Sequence, residues 1–221
     1  MKKRIAAIVC VTLVSCAVMA LVDGILKPGY AIKSAIKLVM FLGLPLLLSL
    51  RHRELALKPL LRFKKKGFLT ALGLGLGLFA LILGAYWGFS RFADFSAIAG
   101  ALTQNAGVNR DNYLPVTTYV AFANSFLEEL FFRGFLFMNL KKLTNRRFAY
   151  CFSATAFSLY HTAMMIGWFD WWLFALVLAA LFVGGLIFNR LNEKQETVYT
   201  SWLTHMFANF AINIIGFTLM R

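Results

Sequence analysis

The chain has 221 residues, of which 60% are hydrophobic and only 14% charged, with a mean hydropathy of +0.71. Soluble globular domains carry about 25% charged residues, so this composition excludes one and predicts an all-α, polytopic integral membrane bundle. A net charge of +14 does not indicate nucleic acid, because most lysines and arginines stand in short clusters between apolar runs, as the positive-inside rule produces.

Met1-Lys2-Lys3-Arg4 precedes a first apolar span over about 5–22. We read it as an uncleaved helix in preference to a signal peptide ending near Ala20. A second span covers about 32–50, where Pro45 is expected to kink the helix. The basic stretch that follows, from Arg51 and Arg53 through Arg62 to Lys64-Lys65-Lys66, is expected on the cytoplasmic side against anionic lipid headgroups. His52 within it reads as a solvated surface residue. The third span, about 68–90, is rich in glycine but has no Lys-Ser/Thr partner for phosphate. Glycines four apart, Gly73 with Gly77 and Gly84 with Gly88, are expected to let helix backbones approach closely.

Residues 91–115 form an outer connection. Its Phe92, Phe95, Ile98 and Leu102 recur at helical spacing and suggest a short interfacial helix. The fourth span, about 116–139, ends at Lys141-Lys142 and Arg146-Arg147. The fifth, 148–168, contains His161, and Trp168, Trp171 and Trp172 mark an interface around a short turn. The sixth covers 171–188, and the seventh, 198–219, carries His205 and Asn209. Seven to eight transmembrane helices are therefore expected, with the N-terminus cytoplasmic. Residues 1–115 supply N-terminal helices and residues 116–221 the helices that carry chemistry, within one structural domain. Cys10, Cys16 and Cys151 lie in apolar spans without CxxC or metal spacing and read as packing residues. No internal repeat supports an inverted-repeat transporter.

The fourth span is the unusual one. Glu128, Glu129 and Arg133 fall within six positions of an apolar run, and an ionised group at the bilayer centre costs about 2.5–3.5 kcal/mol on insertion scales. Only nine acidic residues occur in the chain, and two are here. At about 1.5 Å rise per residue, Glu128, Glu129 and His161 come near mid-membrane, with His205 and Asn209 within roughly two turns of that depth. Glu129 and Arg133 are four apart and can pair, whereas Glu128 is turned about 100° away and faces elsewhere. His205 and Asn209 share a face, as do Phe157 and His161, whose ring can shield the imidazole.

A carboxylate beside histidine in a dry cavity can hold a water and take its proton. A second histidine and an asparagine amide can donate to an oxyanion on a peptide carbonyl. No Ser-His-Asp arrangement is visible and HExxH is absent. Glu128, His161 and His205 from three helices could instead hold Zn²⁺ with an open position.

Glu128-Glu129-x-x-x-Arg133, Phe157-x-x-x-His161 and His205-x-x-x-Asn209 resemble, in order and spacing, the three motifs of the CAAX-protease and bacteriocin-processing (CPBP, or Abi) intramembrane proteases. The resemblance covers roughly the second half of the chain. It implies an intramembrane endopeptidase in which Glu128 activates water beside His161. His205 and Asn209 would form the oxyanion hole, with Glu129, Arg133 and Phe157 in support. Although the family is often labelled metalloprotease, a glutamate-dependent mechanism without metal is expected, so no cofactor is required and zinc is the alternative. Implied partners are a peptide or membrane-protein substrate in a bacterial cell membrane, or a bacteriocin or sensor-kinase system. A non-proteolytic scaffold or immunity protein is the competing reading, and a proton-coupled transporter the third.

Overall fold

Apolar runs of this length leave the backbone one local way to satisfy its own hydrogen bonds away from water, the helix. The computed structural model describes residues 1–55, 57–95, 97–98, 100, 103 and 107–220, and all regular structure among them is helical. The principal helices are α1 (Lys2–Leu26), α2 (Tyr30–Arg51), α3 (Lys65–Phe89), α4 (residues 113–143), α5 (Arg146–Tyr160), α6 (Trp171–Gln195) and α7 (Tyr199–Leu219). Each lies where the hydropathy pattern predicts a span.

Among the described residues, five helices are long and apolar enough to cross a membrane: α1, α2, most of α3, α6 and α7. The others differ for reasons tied to the motifs. Helix α4 carries Glu128, Glu129 and Arg133 close together, and α5 has only 15 residues because the helix breaks at His161 before resuming over Thr162–Met165. The protein is thus a helical membrane protein. The interfacial helix expected on Phe92, Phe95, Ile98 and Leu102 falls on a stretch that includes residues outside those described, Leu102 among them.

Aromatic rings join the two halves of the chain. Phe41 of α2 stacks on Phe131 of α4 with centroids 4.2 Å apart, and packs on Phe132 at 5.5 Å and Tyr160 at 5.2 Å. Phe41, Phe131, Phe132, Phe135 and Phe137 are all fully buried. Pro45, expected to kink α2, lies two residues past the end of a π-helical turn at Val39–Gly43, in the first turn of the α-helical stretch Leu44–Arg51, and the helix runs on through it.

Helix α3 docks on α7 through a stripe of small residues, but not the one the glycine pattern suggested. A Cβ on Gly75 would sit 2.5 Å from the Phe207 ring, and one on Gly67 would sit 2.7 Å from Thr200 Oγ1. Between them Ala71 is fully buried and its carbonyl accepts a hydrogen bond from Thr204 Oγ1 at 3.3 Å. Gly73, Gly77, Gly84 and Gly88 have nothing within 4 Å of a built Cβ. Two residues along a helix is a turn of about 200°, so Gly73 and Gly77 point away from α7. A second correction concerns the cysteines: Cys10 and Cys151 are exposed on the bundle surface, and only Cys16 is partly covered.

The basic stretch after α2 is anchored as well as exposed. Leu55, Leu57 and Leu60 turn inward, and the Leu60 carbonyl accepts from Val198 N at 3.0 Å and Thr197 Oγ1 at 3.2 Å. Arg51, Arg53, Lys58 and Arg62 stay on the surface. In the cluster after α4, Glu193 gathers Arg146 at 2.7 Å, Arg190 at 3.0 Å and Lys141 at 3.4 Å, while Lys142 and Arg147 remain exposed.

Candidate active site

Helix α4 is wound unevenly. It is π-helical over Val120–Asn124 and again over Glu129–Phe137, with a short α-helical segment at Ser125–Glu128 between. Wider turns of this kind recur where helices carry function. Glu129 and Arg133, four apart, share a face within the second stretch, and Asn124 and Glu128 do so across the α-helical segment. Glu128 is 3% exposed, and Glu129 and Arg133 are fully buried.

The two glutamates separate as their helical offset requires, yet one imidazole reaches both. Glu128 Oε2 faces His161 Nε2 at 3.7 Å and His205 Nε2 at 3.8 Å. His205 Nδ1 is 2.9 Å from Glu129 Oε1, and the carboxylate can only accept, so Nδ1 donates. His161 Nδ1 donates to the Phe157 carbonyl at 2.8 Å, which leaves its Nε2 lone pair toward Glu128. The break in helix α5 falls on His161 itself, with φ −77° and ψ −13°.

Arg133 lies with Nη1 3.1 Å from Glu129 Oε1, as a charge contact without hydrogen-bond alignment. Its guanidinium sits 3.9 Å over the Phe157 ring and 5.0 Å from that of Phe188. Phe157 also packs edge-on against His161 at 4.7 Å and His205 at 6.0 Å. The expected shielding of the imidazole is therefore present, and one phenyl ring serves three of the motif residues. Asn209 is engaged differently. Its Nδ2 donates to the Val120 carbonyl at 3.1 Å, within a ladder in which Trp202 Nε1 donates to Phe122 O at 2.9 Å and Asn213 Nδ2 to Thr117 O at 3.1 Å. These side chains of α7 tie it to the first π-helical segment of α4 and to the α-helical turn before it.

Sequence reasoning missed two residues of the cluster. Lys37 of α2 is 5% exposed and its Nζ donates to Glu128 Oε1 at 2.5 Å and to Asn124 Oδ1. Asn124 Nδ2 donates to the same Glu128 oxygen at 3.0 Å. The signal was present: Lys33 and Lys37 interrupt an apolar span, and an intramembrane cation needs a partner as much as an anion does. Lys33 pairs with Asp23 at 2.6 Å. The buried charges thereby find opposite partners, Lys37 with Glu128, Arg133 with Glu129 and Asp23 with the partly buried Lys33.

The donor set suits a metal ion poorly. Lys37 already holds a positive charge against the Glu128 carboxylate, where a dication would also have to bind. Among the described residues, no group of three His, Cys, Asp or Glu is arranged to hold a metal ion. What the arrangement can do is hold a polar molecule between a carboxylate oxygen and two imidazole nitrogens, beside the Phe157 and Phe188 rings.

Comparison with known proteins gives a family match over the motif-bearing stretch. Residues 110–211 match the protein family described as type II CAAX prenyl endopeptidase, Rce1-like, the same group that the three motifs resemble. No curated protein and no solved structure matches the chain.

Proposed function

Because its motif-bearing residues 110–211 match the Rce1-like family of type II CAAX prenyl endopeptidases, a family of proteases, we propose that this protein hydrolyses a peptide bond within the membrane by glutamate-activated water. The observation that carries the reading is Glu128 Oε2, buried and directed at His161 Nε2 and His205 Nε2 at 3.7 and 3.8 Å. A water there donates one hydrogen to Glu128 Oε2 and the other to the His161 Nε2 lone pair, which leaves an oxygen lone pair for the scissile carbonyl carbon. As the C–O bond forms, Glu128 takes the proton. The oxyanion accepts from His205 Nε2–H, whose imidazolium is flanked by the Glu129 carboxylate. Asn209 sits one turn beyond His205, and its second amide hydrogen is the candidate for the other donor. Collapse breaks the C–N bond, Glu128 returns its proton to the leaving nitrogen, and a carboxylic acid and an amine depart, the acid passing its remaining proton to the amine as the two separate.

In this scheme Arg133 and Phe157 hold Glu129, His161 and His205 in place, and no step needs a metal. The substrate is a peptide or membrane-associated protein, with a prenylated CAAX tail as the first class to try. We place the N-terminus on the cytoplasmic side, with exposed Arg51, Arg53, Lys58 and Arg62 against anionic lipid. A cysteine substituted for Arg146 and probed with an impermeant thiol reagent reads that orientation.

The test uses purified protein in detergent and a quenched-fluorescent peptide ending in a prenylated CAAX sequence, with zinc content measured on the same sample. Glu128→Ala and His161→Ala are each expected to lose cleavage by at least about 10²-fold while accumulating in the membrane at wild-type levels. Wild-type protein that cleaves nothing, together with both variants retaining full biological activity in cells, would favour a scaffold or immunity role. Stoichiometric zinc that disappears in His205→Ala would overturn the metal-free mechanism.

A further inference from the structure

We propose that Lys37, on a helix outside the matched residues 110–211, is a positioning residue for Glu128, fixing which carboxylate oxygen works. The proposal rests on the peptidase reading above. Among the described residues, the donors to Glu128 other than the histidines fall on one oxygen. Lys37 Nζ at 2.5 Å and Asn124 Nδ2 at 3.0 Å both donate to Glu128 Oε1, and Asn124 Oδ1 accepts from the same ammonium. Three side chains on two helices thus close a triangle that holds Oε1. The Oε2 atom is left for the imidazoles at 3.7 and 3.8 Å. A carboxylate free to rotate would offer either oxygen to the water; this one offers Oε2.

The ammonium is itself held in place. Lys37 is 5% exposed and lies 5.4 Å from the centre of the Phe41 ring and 5.1 Å from that of Tyr160, distances at which the ring faces attract a cation. Phe41 is one turn along α2 from Lys37, and its stacking on Phe131 sets the register between α2 and α4. The ring that docks the helix also walls in the lysine. Arg133 cannot take over this task, because it is committed to the Glu129 side of the site. A lysine serving only to balance charge would need neither the Asn124 bridge nor a fixed oxygen.

The experiment is steady-state cleavage of the prenylated peptide probe by wild type, Lys37→Met, Lys37→Arg, Asn124→Ala and the control Glu128→Gln. Lys37→Met should lower kcat by about 10²-fold with KM within about threefold, as expected for a misplaced reacting group. Lys37→Arg, which keeps charge and donors, should recover at least a tenth of the wild-type kcat. Asn124→Ala removes no charge and so should accumulate normally, with kcat down about tenfold and KM unchanged. Should Lys37→Met fail to accumulate, the arginine and Asn124→Ala variants carry the test. Wild-type kcat in Asn124→Ala and in Lys37→Met would overturn the positioning role, provided Glu128→Gln is inactive. Wild-type cleavage by Glu128→Gln would instead overturn the peptidase reading on which the proposal stands.

Discussion

At the scale of single residues, the His205 imidazole links two acids that the helical offset keeps apart, with Nδ1 on Glu129 at 2.9 Å and Nε2 toward Glu128 at 3.8 Å. Glu129 therefore has a structural partner in Arg133 and a chemical one in His205, and the two can be separated. Glu129→Gln leaves the guanidinium buried without its anion, and breaking a buried pair by removing one partner costs about 3–5 kcal/mol. A marked fall in thermal midpoint in detergent is expected, together with a loss of cleavage. Glu129→Gln/Arg133→Met removes both charges and should recover most of the midpoint, since apolar replacements of buried pairs are often neutral. Cleavage should stay low, because His205 has still lost its anionic acceptor. Recovery of both would reduce Glu129 to a packing role. Spacing within one helix made Glu129, Arg133, Phe157 and His161 legible in the sequence. Lys37 was not, because its partner lies 91 positions away on another helix, and only the cost of a buried cation pointed to it.

At the scale of elements, positions of helices were legible and faces were not. Apolar runs set where each helix lies, since nothing but a helix satisfies their backbone. Three glycines alternate along Gly73 to Gly77 and two more stand at Gly84 and Gly88, so α3 carries more than one small stripe and hydropathy does not select between them. The partner selects: Phe207 of α7 occupies the space beside Gly75. Gly75→Leu should thus force the ring or the helix to move, with a loss of about 1–3 kcal/mol or more. Gly73→Leu, in open space, should leave the thermal midpoint within experimental scatter or raise it through helix propensity. Equal effects at the two positions would contradict the α3–α7 register. The π-helical stretches of α4 were also illegible, because an apolar run satisfies its backbone equally in α or π turns and no residue pattern there marks the wider one. What the sequence did contain was their companions, Trp202, Asn209 and Asn213 on α7, which meet carbonyls of the first stretch and its approach.

At the scale of the whole molecule, the motif-bearing half is not self-sufficient. Residues 110–211 hold both glutamates and both histidines, yet Lys37, Phe41 and Leu60 reach in from before them. Lys37 balances Glu128, Phe41 stacks on Phe131 at 4.2 Å, and the Leu60 carbonyl meets the backbone N–H of Val198 at the start of α7. A fragment of residues 107–221 expressed alone would keep the three motifs while leaving Glu128 without its cation and the Phe131 face open to lipid. An unpaired charge at that depth costs about 2.5–3.5 kcal/mol on insertion scales, a large share of the net stability of a domain. The fragment is therefore expected to be inactive on the prenylated peptide, and co-expression with residues 1–106 should restore cleavage by rebuilding the α2–α4 contact. Carrying Lys37→Met in the first fragment should remove that restoration without weakening capture of one fragment by the other, because the Phe41 and Leu60 contacts persist. Full activity in the lone second fragment would mean that its half of the bundle folds and pairs its own charges, and the N-terminal helices would then be an addition to the site instead of one of its walls.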